Sequence, residues 1–543
     1  MRRISCLSVV VLGATLASAQ GVTDALQYSK TDIVGSARYM GMAGAFNALG
    51  GDITTLSQNP AGIGIYRSSE VVATLDLGGV ETTSEVPANA LSITGPALKN
   101  SKFNIGCNNL GYVGTFMTGN RSGLISFNVG FAYNRQAYQK RRYKITQNEM
   151  RNGLSDYIAD RTNAWASANQ GSSPSDLSIP ENIDKYDPYY DSSAPWISIL
   201  GYNSYVINHV TSTDGNYYTG LYPNESVGIG GDLNMSETRR VDEYTFNVGG
   251  NFSNIVYWGL GIGISDLNFE QRISYDEYYW QAGNPQSSSN YQNFRLNNYL
   301  NTSGTGVNVK LGVILRPTNS LRLGFAAHTP TWYSMTDSYG ADMQSFNVKE
   351  LNNANSSRIN TPADSWDYKL RTPWKFQVGA AYILGKSGLI SFDYERVDYT
   401  YLNLQDEDGY SESYAYTNAD IKNQLRGVNT FRVGTEIRLS SVTSLRLGYA
   451  NQSSAYTNAV KNNESEIYVS GTVPNYVIDR GSQYYTGGLG YRIGSVFVDM
   501  AFVWKENRQD AYLFPNVNGY VTSERSRLKT SSYKFLLTMG YKF

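Results

Sequence analysis

Residues 35–67 read GSARYMGMAGAFNALGGDITTLSQNPAGIGIYR. The stretch is rich in Gly and Ala, carries few charges and closes on an Asn-Pro-Ala-Gly turn. Gly41, Ala43, Gly44, Ala45 and Ala48 permit close backbone packing. Asn59-Pro60 enforces a turn, because proline fixes its own φ and restricts the residue before it. The segment does not read as a strand, although most of the chain after it does. A small-residue, non-strand segment in front of a long series of strands predicts a plug seated inside whatever those strands build.

The strands are the strongest pattern in the sequence. At 124–133, Ile125, Phe127, Val129, Phe131 and Tyr133 alternate with Ser126, Asn128, Gly130 and Ala132. The same period-2 pattern recurs at 243–252 and at 431–439, where Phe431, Val433, Ile437 and Leu439 alternate with Arg432, Gly434, Glu436 and Arg438. Each such run has one apolar and one polar face. In a barrel the apolar face meets lipid and the polar face meets the lumen. Short turns near 118–122, 253–256, 316–320, 385–388, 440–443 and 493–496 join six pairs of such runs. With a first strand at about 69–80 and a last at about 530–543, the reading is an all-β fold, a 14-stranded antiparallel transmembrane β-barrel. The other connections are long and polar, the largest about 136–238. Short turns on one rim and long loops on the other is the asymmetry of outer-membrane barrels. Part of the longest loop, 148–168, has helical character, consistent with a lid or with a mobile surface loop.

Both chain ends agree. Residues 1–19 read as a signal peptide, with Arg2 and Arg3, an apolar core from Leu7 to Leu16 and the small-residue site Ala17-Ser18-Ala19, leaving Gln20 as the new N-terminus. The division expected is therefore 1–19 signal peptide, 20–68 plug and 69–543 barrel. The final strand alternates Tyr533, Phe535, Leu537, Met539, Tyr541 and Phe543 with Lys534, Thr538, Gly540 and Lys542. A strand ending in Phe543 is what outer-membrane barrel assembly machinery would read by adding it to its own sheet.

Composition closes other classes. The chain has 44 Tyr, 52 Gly and only 15 Pro, with a net charge of −1. No segment after residue 19 approaches the ~18–20 consecutive apolar residues of a spanning helix, and no basic block offers a nucleic-acid footprint. With Cys6 in the leader, Cys107 stands alone, so neither an intrachain disulfide nor a Cys-metal site is expected. His209 and His328 lack metal-ligand spacing. GLGIGI at 259–264 has no following helix or Lys-Ser/Thr, so its glycines read as close-packing residues rather than a phosphate loop. No catalytic constellation, metal site or cofactor is expected, and the chain does not read as an enzyme.

The wording of 35–67, and more weakly of HTPTWY at 328–333, resembles the FadL family of outer-membrane transporters for long-chain fatty acids and hydrocarbons. The resemblance implies a hatch with Asn59, Pro60, Ala61 and Gly62 as its structural and gating turn. It also implies a lateral opening in the wall at the third strand, about 122–135, where Gly123 and Gly130 would ease a break. Expected partners are membrane lipid and a hydrophobic small molecule, with ligand-binding residues unassigned. The location implied is the outer membrane of a Gram-negative-type bacterium. Lys310, Arg322, Asp393, Arg432, Glu436, Arg438, Arg446 and Asp499 fall on lumen positions. They would either pair with the hatch or make part of the pathway polar. The alternatives are a FadL-like barrel serving as a protein-secretion accessory, or a surface-binding barrel whose loops matter more than its lumen.

Overall fold

A two-faced strand needs a partner on each edge, and around this barrel each strand has a neighbour on both sides for at least part of its length. The computed structural model describes residues 20–87, 97–169, 173–212, 215–223, 226–349, 356–467, 469, 471–517 and 520–543. The predicted leader, with its Ala17-Ser18-Ala19 site, lies outside them. The barrel strands are β1 (Glu70–Glu85), β2 (Leu98–Met117), β3 (Leu124–Asn148), β4 (Val227–Phe252), β5 (Val256–Gln281) and β6 (Asn293–Leu315). They continue with β7 (Leu321–His328, Trp332–Phe346), β8 (Ser356–Asn360, Asp364–Arg371, Lys375–Leu384) and β9 (Gly388–Asp398, Asn403–Asp406). The last are β10 (Gly427–Arg438), β11 (Thr443–Gln452), β12 (Tyr476–Ile493), β13 (Val496–Tyr512) and β14 (Ser526–Lys542). Each pairs antiparallel with its neighbours. β14 pairs with β1 from Tyr541 opposite Val71 to Arg527 opposite Glu85, which closes the ring at fourteen strands.

The outer surface marks a membrane band. On β14, Phe543, Tyr541, Met539, Phe535 and Tyr533 are exposed. In the same phase above them come Lys529, which pairs with Glu506 at 2.9 Å, and the exposed Arg527. Stacked aromatic rings ring the upper limit: Tyr485, Trp504 and Tyr533 on β12 to β14, and Trp374 on Phe376, centroids 6.0 Å apart, on β8. The apolar part of each strand thus matches the ~9–11 residues a spanning strand needs. β4 and β5 are each 26 residues long and rise well beyond it.

That height corrects the loop boundaries. The expected 136–238 loop shrinks to 149–226, because β3 runs on to Asn148 and β4 begins at Val227. These extensions stand above the lipid, so their outward positions carry Lys140, Arg142 and Arg240 instead of apolar residues. The ladder persists where the greasy alternation that announces it stops. β7 and β8 are interrupted side by side at 329–331 and 372–374, where Pro330 and Pro373 have no N–H to give. Thr331 N donates to Thr372 Oγ1 at 2.8 Å and Thr372 N to Thr331 O at 3.0 Å, bridging the two breaks.

The plug contains α1 (Val22–Ser29), α2 (Ala37–Gly41) and α3 (Thr55–Gln58). The 149–226 segment contains α4 (Leu154–Ala168) and α5 (Trp196–Asn203) and is a packed cap. Its Leu154, Ile158, Trp165 and Leu200 are buried with Phe294, Met343 and Phe514 of the barrel mouth. The buried Glu277 carboxylate of β5 accepts from the backbone N–H of Leu154 and Ser155, the first turn of α4, and from the hydroxyls of Tyr275 and Tyr279.

Leu447 lies half-exposed in the middle of the lipid band on β11. Leu447→Arg should destabilise the barrel by about 2–4 kcal/mol, measured by urea unfolding from lipid vesicles.

Candidate functional site

Residues 20–68 are buried along nearly their whole length and touch the barrel wall all the way round. α1 packs with Leu267, Phe269, Tyr333 and Tyr456 under the cap. Further down, Met40, Met42 and Phe46 pack on Ala450, Tyr484, Ala501 and Leu536. Ile53, Leu56 and Ile63 meet Val72, Val113 and Ala132, and Ala61 meets Tyr257 and Ile314.

The predicted gating turn sits against β5 and β6. Asn59 is fully buried; its Oδ1 accepts from Ala61 N at 3.1 Å and its Nδ2 donates to Asn47 O at 2.7 Å. Pro60 takes the first position of a 3₁₀ turn, Pro60–Ile65, where its missing N–H costs nothing. Gly62 donates to Asn59 O at 2.9 Å and accepts from Gly51 N at 3.2 Å, and a methyl group on it would strike Thr55. The wall is hollowed to receive this backbone. A methyl group on Gly312 would overlap Asn59 Oδ1, one on Gly259 the carbonyl of Pro60, one on Gly324 that of Asn47, and one on Gly448 the carbonyl carbon of Met42. Gly259 of the GLGIGI run is thus a close-approach residue.

The lumen charges hold the plug. Arg38 of α2 meets Glu436 at 3.1 Å, and Glu436 also meets Arg446 at 2.7 Å, which continues to Asp499 at 2.5 Å. Arg322 Nη1 donates to Leu49 O at 2.9 Å, and Asp393 Oδ2 accepts from Asn47 N at 2.8 Å. Arg432 pairs with Glu395 at 2.8 Å and Lys310 with Glu243. Only Arg438 of the predicted set stands exposed, beside the lower mouth. Sequence reasoning missed the plug's own partners: Lys30 pairs with Asp479 at 2.6 Å and Asp32 with Lys505 at 2.6 Å. Neither lies in an alternating run that would flag a facing residue. Burial alone would push the Asp32 carboxyl up, but Lys505 and Arg239 overcome it and hold the group down at about 2.

Between the plug, the upper strand segments and the loop residues Val469 and Thr472 lies a cavity of about 200 Å³. Leu26, Met40, Val80, Met235 and Val503 give it apolar walls, and Arg141, Glu237, Lys505 and Lys534 line its polar side. The wall beside it parts. β2 and β3 pair from Met117 opposite Ser126 up to Asn109 opposite Asn134 and no further. Beyond that point β2 pairs only with β1, and β3 only with β4, with a bulge at Arg135/Ala137. Arg135 fills the lower end of the seam, 3.5 Å from Asp242, 3.7 Å from Asp76 and 4.8 Å over the Tyr138 ring. Of the glycines named for a lateral opening, Gly130 sits in the intact ladder opposite Val113, and Gly123 lies in the turn below at φ +75°. The parting itself belongs to residues 109 and 134–137.

His328 Nε2 lies 2.7 Å from Gln58 O, a plug contact, while His209 sits in a short hairpin of the cap. No metal-holding cluster occurs among the described residues. Cys107 is half-buried on β2, beside the seam.

Asn59→Ala strands the buried Asn47 carbonyl and should loosen the turn by about 1–3 kcal/mol. Gly259→Leu cannot be accommodated without moving the Pro60 backbone. Both variants should admit small sugars in a liposome-swelling assay, with Gly259→Leu the leakier. Gly340→Ala, with open space around it, should stay as tight as the parent.

No protein-family model matches the chain, and no curated protein matches it in sequence. Among solved structures it is similar to a Pseudomonas aeruginosa FadL homologue, with 11% identity over 94% of this chain and 99% of that one, at a TM-score of 0.52. It also aligns with the Pseudomonas putida toluene transporter TodX (10% identity, 94% and 99% covered, TM-score 0.48). A third alignment is with the Ralstonia pickettii toluene transporter TbuX (13%, 94% and 99%, TM-score 0.39). The first of these carries the architectural conclusion: from plug to closing strand, the chain has the FadL-type fold.

Proposed function

We propose that the protein is an outer-membrane transporter that takes up hydrophobic or amphipathic small molecules through a hatch-gated barrel. The observation that carries this reading is the placement of the mixed cavity. It is bounded by the plug and the upper strand segments, and Val80 of β1 and Tyr138 of β3 line it beside the seam between β2 and β3. A molecule captured among the external loops would enter this cavity and lie against Leu26, Met40 and Val503. The seam offers it a lateral way out. Phe103 and Ile105, each 68% exposed on β2 beyond the end of the ladder, present an apolar surface there. The charged side of the cavity favours an amphipathic cargo over a plain hydrocarbon, since a polar group can replace water on Arg141 or Lys534 at little cost while the apolar part leaves water altogether. Membrane lipid is then both surroundings and destination. The final strand to Phe543 serves insertion by the assembly machinery.

A cross-link across the seam tests the route. Tyr138 Oη lies 3.5 Å from Asn104 Oδ1. In a Cys107→Ser background, Asn104→Cys with Tyr138→Cys should be bridged by a bis-methanethiosulfonate cross-linker long enough to replace the tyrosine ring. Cells carrying the cross-linked protein should take up a fluorescent long-chain fatty acid no faster than cells lacking it, and reduction of the linker should restore uptake. Equal uptake with and without the cross-link would remove the seam from the pathway. No uptake by the parent of either a fatty acid or a monoaromatic hydrocarbon would remove the transport reading itself. Deleting residues 20–62 should leave an insertable barrel that leaks small solutes, and unchanged permeability would count against gating by the plug.

A further inference from the structure

The plug begins at a buried electrostatic deficit. Gln20 is 1% exposed under the cap. Its Nε2 donates to Asp337 Oδ2 at 2.7 Å, and its Oε1 accepts from the Tyr414 hydroxyl at 3.0 Å. The next nitrogen along, that of Gly21, donates to Asp24 Oδ2 at 2.9 Å. Asp24 and Asp337 therefore flank residue 20, one through the main chain and one through the side chain. Several deeply placed acids of the plug and its walls have a basic partner: Asp32 has Lys505, Asp479 has Lys30, Glu436 has Arg38 and Glu237 has Arg141; Asp52 and Asp393 accept from Ser36, Thr54 and Asn47 instead. Asp24 and Asp337 have none among the described residues. Their other neighbours are hydroxyls and neutral amides, with Tyr368 donating to Asp337 at 3.2 Å.

Two buried carboxylates without a cation are costly, and a chain does not hold both ionised at no expense. Burial pushes the Asp24 carboxyl up to about 7, with Asp337 adding to the rise, and burial also raises Asp337, which stands five residues beyond the outward-facing Trp332 of the aromatic girdle. The missing positive charge has one obvious source at this place. The main-chain nitrogen of residue 20 is one residue, at most about 3.6 Å, from the nitrogen already bonded to Asp24. As part of a peptide bond it is neutral. As a chain terminus it is an ammonium.

We propose that proteolytic maturation between Ala19 and Gln20 creates the counter-ion of Asp24 and Asp337, so that cutting off the leader is also what seats α1 under the cap. The step is hydrolysis by an export endopeptidase. Water adds across the Ala19–Gln20 amide, the C–N bond breaks, the carboxylate leaves with Ala19, and the amine stays on Gln20 and takes up a proton. The ammonium then lies between the two aspartates, with the Gln20 side chain still joining Asp337 to Tyr414. The arrangement also requires that the terminal glutamine stay open. Cyclisation to pyroglutamate would expel the Nε2 that bonds Asp337 and would remove the charge.

The test uses the full-length precursor expressed and purified from outer membranes in detergent. Mass spectrometry of the N-terminal peptide should find Gln20 first, with a free amine. The folded barrel, selected by its heat-modifiable migration, is then treated with an acetylating ester at pH 7.5. At this pH an ion-paired α-amine whose pKa is raised by one unit has about six- to eightfold less reactive free base. Burial slows the reaction further. The Gln20 amine should therefore label at least about tenfold more slowly in the folded barrel than in the urea-unfolded chain, while the exposed Lys386 labels alike in both. Asp24→Asn and Asp337→Asn should each speed labelling of Gln20 in the folded barrel without changing Lys386. A terminus other than Gln20, or one 17 Da lighter through loss of ammonia, would overturn the proposal. Equal labelling in folded and unfolded protein would also overturn it. So would protection that neither aspartate substitution alters, which would leave burial alone as its cause.

Discussion

A peptide backbone inside hydrocarbon has to satisfy its own hydrogen bonds, because lipid offers none. Everything in this molecule follows from the way that demand is met. The ladder between β14 and β1 removes the last two free edges, so the ring can stand in a bilayer without a solvent partner. Once the ring is closed, each residue has only two directions to face. The lipid side takes Phe535, Met539 and Tyr541, and the inner side takes Thr538, Arg446 and Asp393. A ring of fourteen strands is too wide for side chains to fill, unlike one of eight. The interior is therefore completed by a second piece of chain, and residues 20–68 supply it.

Seating a polypeptide inside a barrel raises the same difficulty a second time, since the plug's own backbone is now buried. The wall answers with side chains and with empty space. Asn128 Nδ2 donates to Ile63 O, Asn247 Nδ2 to Leu56 O at 2.8 Å, and Arg322 to Leu49 O, so carbonyls of non-strand backbone find donors in the wall. Glycines lie where that backbone comes closest. The ion pairs do something different. A buried pair gains little net stability, because desolvation offsets the attraction, but a charge left unpaired is strongly penalised. The chain Arg38–Glu436–Arg446–Asp499 therefore fixes where α2 sits more than it tightens the whole.

This division explains what could be read from the sequence. Alternation is dictated by the two-sidedness of the wall, so Phe431 to Leu439 or Tyr533 to Phe543 announces its strand, and the number of strands follows from the short turns. The upper strand segments were hidden because above the girdle the outward face meets water while the inward face is buried through a mixture such as Tyr143, Ile145, Arg141 and Glu237. Lys140, Arg142 and Glu237 carry no signal of which side is which, although 137–148 pairs with β4 along its whole length and 227–241 lies in an unbroken ladder with β5. The plug was legible as small residues and a turn at Asn59-Pro60, whose hydrogen bonds the structure shows. Its contacts were not. A pairing such as Asp32 with Lys505 joins positions more than four hundred residues apart, and nothing local to either residue encodes the other. The seam was misplaced for a related reason. Glycine is common in every strand, and the parting depends on a bulge next to Arg135, a residue that alternation alone would assign to an ordinary lumen position.

The seam's height is set by the same constraint as the closure. Its ladder ends at Asn134, one residue past Tyr133, whose ring packs on Tyr244 with centroids 5.5 Å apart in the aromatic girdle. Below that level an unpaired strand edge would face hydrocarbon and cost several kcal/mol per group; above it, water and lipid head groups can serve. A wall can therefore part here and not lower. The parting is made safe from inside as well. The Ser84 hydroxyl of β1 donates to the Lys144 carbonyl of β3, and Val86 packs with Tyr143 and Ile145, so β1 supports β3 where β2 no longer does. The upper edge of β2 is left facing outward, at the lowest height where the backbone can be left open.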